Sequence, residues 1–359
     1  MSNVYIFDPT ASDSAGKVRG MGRYMQVLRE NLSDKVTFIE NLNKVPYNST
    51  LFNPFINFLQ PPFITKRFTK RQIGSILDLI LLKYPHHFPL GIRGNLRVWN
   101  NKRLLKNYDE FITISGQSKK DIHMMLTIPN EKIHVVHPTL AHTFWENEKT
   151  IDDTNSEGIG YPQQTTHYKL STPNYLLYVG DATWNKNLLN LAKAIEIADI
   201  PCVFVGKIFE KKLEDLKDSK EIIHPELKSL YDFLLFVQNK SLFQFPGYVS
   251  DTDLISLYKH ALCNIFPSYD EGFGYSYVEA GALGTPSILS DIDIFHEIAK
   301  DTGLFIKPHD PHDIAQKIIQ LEQNPTLRKE IGEKAQQHIQ QYQSDDFRHK
   351  MLQILDILS

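Results

Sequence analysis

Short β-rich runs that stop on a glycine and hand over to helically spaced stretches constrain this chain more than any other feature. The clearest are YLLYVG over Tyr175–Gly180 and CVFVG over Cys202–Gly206. Runs of this length suit a fully buried strand, and the glycine closes them. Helical spacing follows over Leu188–Ile197, then a short helix over Asp253–His260 and a strand over Ala261–Pro267. A helix over Gly274–Gly284 and a strand over Pro286–Ser290 come next, with helices over Pro311–Gln323 and Pro325–Tyr342. Buried strands alternating with helices make a parallel sheet covered on both faces.

The first half repeats the pattern. Val4–Phe7 reads as a strand closed by Asp8-Pro9, and Thr10–Gly22 as a glycine-containing loop. Arg23–Leu32 places Tyr24, Val27, Leu28 and Leu32 on one helical face. Further strands are expected at Val36–Ile39, Ser75–Leu82, Phe111–Ser115 and Lys132–His137, and a helix over Ser115–Leu126 with Ser118 as its N-cap. Residues 147–173 turn polar and read as a linker or long loop. At 359 residues, two domains are expected at roughly 150 residues each. The expected fold is α/β with two facing Rossmann-like domains and a cleft between them. The domains span 1–165 and 166–344, and 345–359 forms an amphipathic last helix.

Composition excludes several classes. Charged residues are 23% and hydrophobic ones 42%, as in a globular chain rather than a disordered one. The net charge of −3 argues against a dedicated nucleic-acid binder. The two cysteines, Cys202 and Cys263, sit in apolar runs and read as reduced core thiols, which points to the cytoplasm. The start MSNVYIFDPT has no basic region or long apolar stretch, so no signal peptide is expected, and no run has the ~18 apolar residues of a membrane span. The histidine clusters His86-His87, His134/His137/His142 and His309/His312 have no carboxylate or cysteine partners at metal-ligand spacing. Gly20-Met21-Gly22-Arg23-Tyr24-Met25 lacks the third glycine of a dinucleotide fingerprint. Serine-hydrolase and phosphate-loop motifs are absent from the sequence.

The chemistry concentrates in FPSYDEGFGYSYVEAGALGTPSILS, Phe266–Ser290. A strand ends at Pro267, and a loop with Gly272 and Gly274 runs directly into a helix. Glycines there let backbone approach a ligand, and the free amides of a helix start suit a diphosphate. Glu271 stays in the loop, while Glu279 falls roughly 7 Å along the helix at 1.5 Å per residue. The two carboxylates are therefore not a close dyad, and each can accept from ligand hydroxyls. Taken singly, Glu271 also reads as a capping residue and Glu279 as a solvated one.

The whole stretch resembles the signature of retaining glycosyltransferase family 4, a glutamate, seven residues and a second glutamate in a GT-B fold. Pro267-Ser268, Glu271-Gly272-Phe273-Gly274, Glu279-Ala280 and Gly284-Thr285-Pro286 carry the likeness. Tyr178-Val179-Gly180 through Lys186-Asn187, Phe245–Tyr258, Gly20–Tyr24, Asp78-Leu79-Ile80 with Tyr84-Pro85, Ile114-Ser115 and KIHVVHP over 132–138 extend it to roughly residues 4–345.

The resemblance implies a nucleoside-diphosphate-sugar donor, a glycan or lipid-linked acceptor, and no essential metal or cofactor. In that reading Glu271 contacts the transferred sugar, and the amides of Gly272, Phe273 and Gly274 serve its hydroxyls or the phosphates. Glu279 takes the ribose, Lys186 neutralises the leaving diphosphate, and Gly180 and Asn187 flank it. Backbone at Tyr248-Val249 holds the base, Gly20, Gly22 and Arg23 approach the phosphates, and Asp78 serves the acceptor side.

Three positions depart from the family pattern. Asp181 stands where many members have arginine, Asn185 where some do, and Leu77 where many have histidine beside the aspartate. The first guess for the donor is GDP-mannose, because the start and the Lys-Asn loop resemble mannosyltransferase-like members. The alternatives are a non-catalytic sugar-nucleotide-binding partner subunit and a GT-B epimerase or phosphorylase.

One regional asymmetry stands apart. Residues 60–106 hold ten basic side chains, Lys66, Arg67, Lys70, Arg71, Lys83, Arg93, Arg97, Lys102, Arg103 and Lys106, against Asp78 alone, with Phe63, Phe68 and Trp99 among them. Besides a solvated surface, this suits an anionic membrane or a lipid-diphosphate acceptor, so a peripheral position on the inner membrane face is a further expectation.

Overall fold

The computed structural model describes residues 3–10, 20–146, 174–217 and 227–357. The chain divides into two compact units, Met1–Ala141 with Gln341–Ser359, and His142–Gln340. The expected linker at 147–173, and with it the boundary at 165, lies outside the described residues, as do residues 11–19 of the glycine loop. Among the described residues the division falls between Ala141 and His142.

The first unit is built from β1 (Val4–Phe7), α1 (Gly20–Leu32), β2 (Thr37–Ile39), β3 (Thr50–Asn53), β4 (Arg71–Ser75), α2 (Ile80–Lys83), α3 (Gly91–Leu104), β5 (Glu110–Thr113), α4 (Gly116–Leu126) and β6 (Ile133–Val135). Its strands form a parallel sheet in the order β2-β1-β3-β4-β5-β6.

Three expectations change here. The strand expected at Ser75–Leu82 is β4, which ends where that run begins, and Ile80–Lys83 is helical. Asp78 accepts the Ile80 amide at 3.2 Å and turns the chain. The true strand, RQIGS, escaped the apolar criterion because it buries two polar residues, Gln72, whose Oε1 accepts the Phe68 amide at 3.1 Å, and Ser75. The cap of α4 is Ser115 rather than Ser118. Ser115 is extended and its hydroxyl accepts the Ser118 amide at 3.0 Å. Finally, α1 begins at Gly20, so Gly20–Gly22 belong to its first turn rather than to the loop.

The second unit follows with α5 (His142–Glu146), β7 (Leu176–Val179), α6 (Leu188–Ala198), β8 (Cys202–Val205), α7 (Lys228–Val237), β9 (Phe243–Gly247), α8 (Asp251–His260), β10 (Cys263–Phe266), α9 (Tyr275–Ala282), β11 (Ser287–Ser290), α10 (Asp293–Ala299), β12 (Leu304–Ile306), α11 (Pro311–Gln323) and α12 (Pro325–His338). Its parallel sheet runs β12-β11-β10-β7-β8-β9. Phe204 on β8 centres its core, with the rings of Tyr178, Phe209, Phe233, Phe243 and Phe245 at centroid distances of 5.0–6.2 Å. Cys202 and Cys263 are buried free thiols, and burial pushes both well above the ordinary thiol range.

The last helix, α13 (Ser344–Ile354), returns to the first unit. Phe347, Met351, Leu352 and Leu355 are buried in one cluster with Tyr24, Val27 and Leu28 of α1. Arg348 reaches the Asn31 carbonyl and forks onto Asp34, with 2.7 Å to each carboxylate oxygen.

Candidate active site

In the second sheet the chain runs outward from β7 in one direction, through β8 to β9, and from β10 in the other, through β11 to β12. β7 and β10 are neighbours at this reversal. In open parallel sheets the loops leaving two such strands diverge and open a crevice at their carboxyl ends. Those loops are Gly180–Asn187 and Pro267–Gly274, the two segments that carry Lys186 and Glu271.

The loops are stitched together before any charge is considered. Asn185, buried, accepts the Tyr269 amide through its backbone carbonyl at 2.7 Å. Its side-chain amide donates to the Asp270 carbonyl at 2.9 Å, and its Oδ1 accepts from Thr183 at 2.8 Å. Asn187 adopts a left-handed backbone (φ 56°) and donates to the carbonyls of Pro267 at 2.9 Å and Pro308 at 2.6 Å. Gly180 is pinned by its amide to Val205 at 3.0 Å. A side chain on Gly206 would lie 2.2 Å from the Gly180 carbonyl, so only glycine fits against this loop.

On that frame Lys186 Nζ sits 2.6 Å from Glu271 Oε1, and Ser268 Oγ donates to the same oxygen at 2.6 Å. The pair is nearly dry, 17% and 8% exposed. An ion pair so buried is costly to split, and it presents an ammonium beside a carboxylate. The first suits a phosphate and the second a sugar hydroxyl. Tyr178 beneath is pushed well above the phenol range, first by burial and then by the charges of Glu271 and Asp181. It stays protonated and donates to the Asp181 carbonyl at 2.6 Å.

Gly272 and Phe273 lead to Gly274, whose left-handed backbone (φ 108°) starts α9; a side chain there would meet Phe295 at 2.9 Å. This eight-residue helix thus starts directly after the loop that holds Glu271, and the opening amides of a helix take no partner from within it. Glu279, one turn in and buried, accepts from the Tyr258 hydroxyl at 2.9 Å. Tyr258 in turn accepts from Thr285 through its carbonyl at 2.8 Å. The two glutamates thus have separate partners on separate elements.

Tyr248 is 54% exposed and Val249 half-buried. The Tyr248 amide, expected for the base, donates to Glu210 Oε1 at 3.0 Å. Gly20, Gly22, Arg23 and Asp78 belong to the first unit. There Arg23 donates to Gln26 at 3.1 Å and exposed Asp78 turns the chain before α2. Asp181 carries no cation to its position, and its carboxylate accepts the Ala182 amide at 2.7 Å.

Glu210 escaped the sequence reading because its partner is 38 residues away, and Ser268 and Tyr258 entered it only as part of the likeness, without the partners they have here. Asn185 registered only as a missing arginine. Among the described residues no group of three or more His, Cys, Asp and Glu could hold a metal ion, and no helix is long and apolar enough to cross a membrane.

Comparison with known proteins follows this geometry. The family model for glycosyl transferases group 1 matches residues 163–338. The chain is similar to O-antigen chain mannosyltransferase B of Escherichia coli, 23% identical over 272 residues, 75% of this chain and 66% of that protein. It is also similar to the O-antigen chain mannosyltransferase RfbU of Salmonella typhimurium, 32% identical over 261 residues, 71% of this chain and 62% of that protein. The matched part thus spans about two thirds or less of these relatives. Among solved structures it is similar to Anabaena HepE in complex with UDP and glucose, with a TM-score of 0.63 at 13% identity and all of both chains covered. At that identity the likeness shows the fold, GT-B.

Proposed function

Residues 163–338 belong to the glycosyl transferases group 1 family, and we propose that the chain transfers a hexose from a nucleoside-diphosphate sugar to a glycan or lipid-linked saccharide during polysaccharide assembly. The observation that carries this reading is the Lys186–Glu271 pair, 2.6 Å apart beside the start of α9.

In the proposed reaction the donor diphosphate lies across Lys186 and the opening amides of α9. Charge develops on it as the sugar–phosphate bond breaks, and a preorganised ammonium stabilises that charge more than it stabilises the ground state. Glu271 accepts from sugar hydroxyls, and the amides of Gly272, Phe273 and Gly274 complete the cradle. Glu279, held by Tyr258, takes the ribose hydroxyls. Tyr248-Val249 flank the base. Gly180 and Asn187 hold the loop that presents Lys186. No protein nucleophile is required if the acceptor attacks on the face the diphosphate leaves, which retains the anomeric configuration. Neither a metal nor a cofactor takes part in this scheme.

Mannose from GDP-mannose is the proposed donor. Its support is that the relatives are O-antigen chain mannosyltransferases. The proposed setting is the cytoplasm, at the inner membrane face.

Thermal shift with UDP, GDP, ADP and TDP, with and without their common sugars, tests the site. Stabilisation by GDP and GDP-mannose, lost in Glu279→Ala, is the expected result. Stabilisation by another nucleotide overturns the donor while keeping the site, and no shift at millimolar nucleotide overturns the site. Transfer of labelled sugar, with the product's anomeric configuration read by NMR, tests retention.

A further inference from the structure

Helix α3 is amphipathic the wrong way round for a globular protein. Its single buried residue is Asn101, which donates to the carbonyls of Phe58 at 3.3 Å and Gln60 at 2.9 Å and anchors the helix. Three of its large apolar residues face out, Ile92, Leu96 and Trp99 being 83%, 61% and 61% exposed, while Val98 packs on the core. At 100° per residue these three fall within about 60° of one another, and Arg103 shares their stripe with its guanidinium 5.9 Å from the Trp99 ring centre.

The charge around the stripe has one sign. From Leu79 to Tyr108 the sequence holds Lys83, Arg93, Arg97, Lys102, Arg103 and Lys106 and no acidic residue. Arg93, Arg97, Lys102, Arg103 and Lys106 are exposed, and none of them makes an ion pair among the described residues. The other basic residues of the region behave differently. Arg67 forks onto Asp109 at 2.9 and 2.7 Å, Arg71 bridges Glu110 and Asp356 at 2.9 Å each, and Lys83 meets Asp121 at 3.0 Å. Three of the ten charges are therefore spent inside the fold. Of the other seven, Arg93, Arg97, Lys102 and Arg103 lie on the helix that carries the exposed apolar stripe and Lys106 follows directly after it.

We propose that α3 is a membrane-docking helix, which lies in the plane of an anionic lipid surface with Ile92, Leu96 and Trp99 entering the acyl boundary and Arg93, Arg97, Lys102, Arg103 and Lys106 on the headgroups. An apolar stripe bordered only by cations matches a surface that is apolar within and anionic at its rim. A protein partner with an apolar groove accounts for the stripe but not for the one-signed border. Asn101 and Val98 hold the inner side of the helix, so covering its outer side disturbs no core. The inference deepens the reading of a lipid-linked acceptor, and its test does not involve the donor site.

The test is co-flotation of the full chain with vesicles of phosphatidylcholine alone or with a third phosphatidylglycerol, at low and high salt. The expected result is flotation with the anionic vesicles only, reduced at least tenfold at 0.5 M salt, where the screening length is a few ångström. Ile92→Glu/Leu96→Glu and, separately, Arg93→Glu/Arg97→Glu are each expected to abolish it. Both pairs sit on the surface, and an unchanged denaturant unfolding midpoint checks that the fold survives. Absence of flotation by the wild type overturns the proposal. So does flotation that Ile92→Glu/Leu96→Glu leaves unchanged, or a wild-type dimer in solution that this variant dissociates, which makes the occupant a second copy.

Discussion

Lys186 and Glu271, 85 residues apart in sequence, meet at 2.6 Å between Nζ and Oε1. Each comes from one of the two loops that leave adjacent strands at the reversal of sheet order. The pair binds the loops into one surface and is the charged centre of the proposed donor site.

Lys186→Ala removes the cation and leaves Glu271 buried beside Ser268 alone. Turnover is expected to fall about 100- to 1000-fold, as for loss of one oxyanion donor. Donor affinity should fall less than kcat, because the lysine acts on charge that develops during the reaction. Steady-state kinetics on labelled transfer separate the two, and a loss confined to KM contradicts the role.

Glu279 and Tyr258 form a charge-assisted bond at 2.9 Å in a buried setting. Tyr258→Phe removes the donor and is expected to weaken nucleotide binding about tenfold, in line with roughly 1.5 kcal/mol for a bond to a charged group. Glu279→Ala is expected to abolish measurable binding. Isothermal titration with GDP checks both, and equal affinity in wild type and Tyr258→Phe rules out positioning by Tyr258.

Gly206→Ala forces a methyl group to 2.2 Å from the Gly180 carbonyl, a backbone atom on the Lys186 loop. The variant is expected to lose about 2–3 kcal/mol of stability, at the upper end of overpacking effects, and to lose donor binding with it. Denaturant melts read the first and thermal shift with nucleotide the second.

Acid stability of the first unit should depend on Asp109. Burial alone would raise this carboxyl, but the Arg67 guanidinium and the Gln72 amide together hold it below its ordinary value. Because the folded value is depressed, its contribution is fully present above the unfolded value of about 3.9 and lost as pH falls below that. Asp109→Asn should therefore be less stable than wild type at pH 6, and the gap should close between about pH 4 and pH 2. A gap that is the same at pH 6 and pH 2.5 assigns the effect to packing instead.

Local order decided what could be read before folding. Tyr175–Gly180, Cys202–Gly206 and Pro286–Ser290 were legible because fully buried strands need unbroken apolar runs. Phe266–Ser290 was legible because glycines, a helix start and spaced carboxylates are adjacent in the chain. Where a buried strand carries polar residues, as RQIGS does at Gln72 and Ser75, composition carries no signal. Ser115 and Ser118 both suit a cap, and only backbone conformation chose Ser115. Within 60–106 a count of charges could not separate Arg67 and Arg71, whose carboxylate partners Asp109, Glu110 and Asp356 lie beyond the segment, from the uncommitted cations of α3.

The sequence by itself determined that alternating strands and helices would build parallel sheets, and that Glu271 and Glu279 would serve different places, because periodicity and spacing are properties of neighbouring residues. Tertiary structure alone decided that Lys186 meets Glu271, that Tyr258 holds Glu279, that Asn185 clips two loops and that α3 turns its apolar side outward. Those facts depend on strand order and on which face a helix buries, and both are set by contacts between residues tens of positions apart.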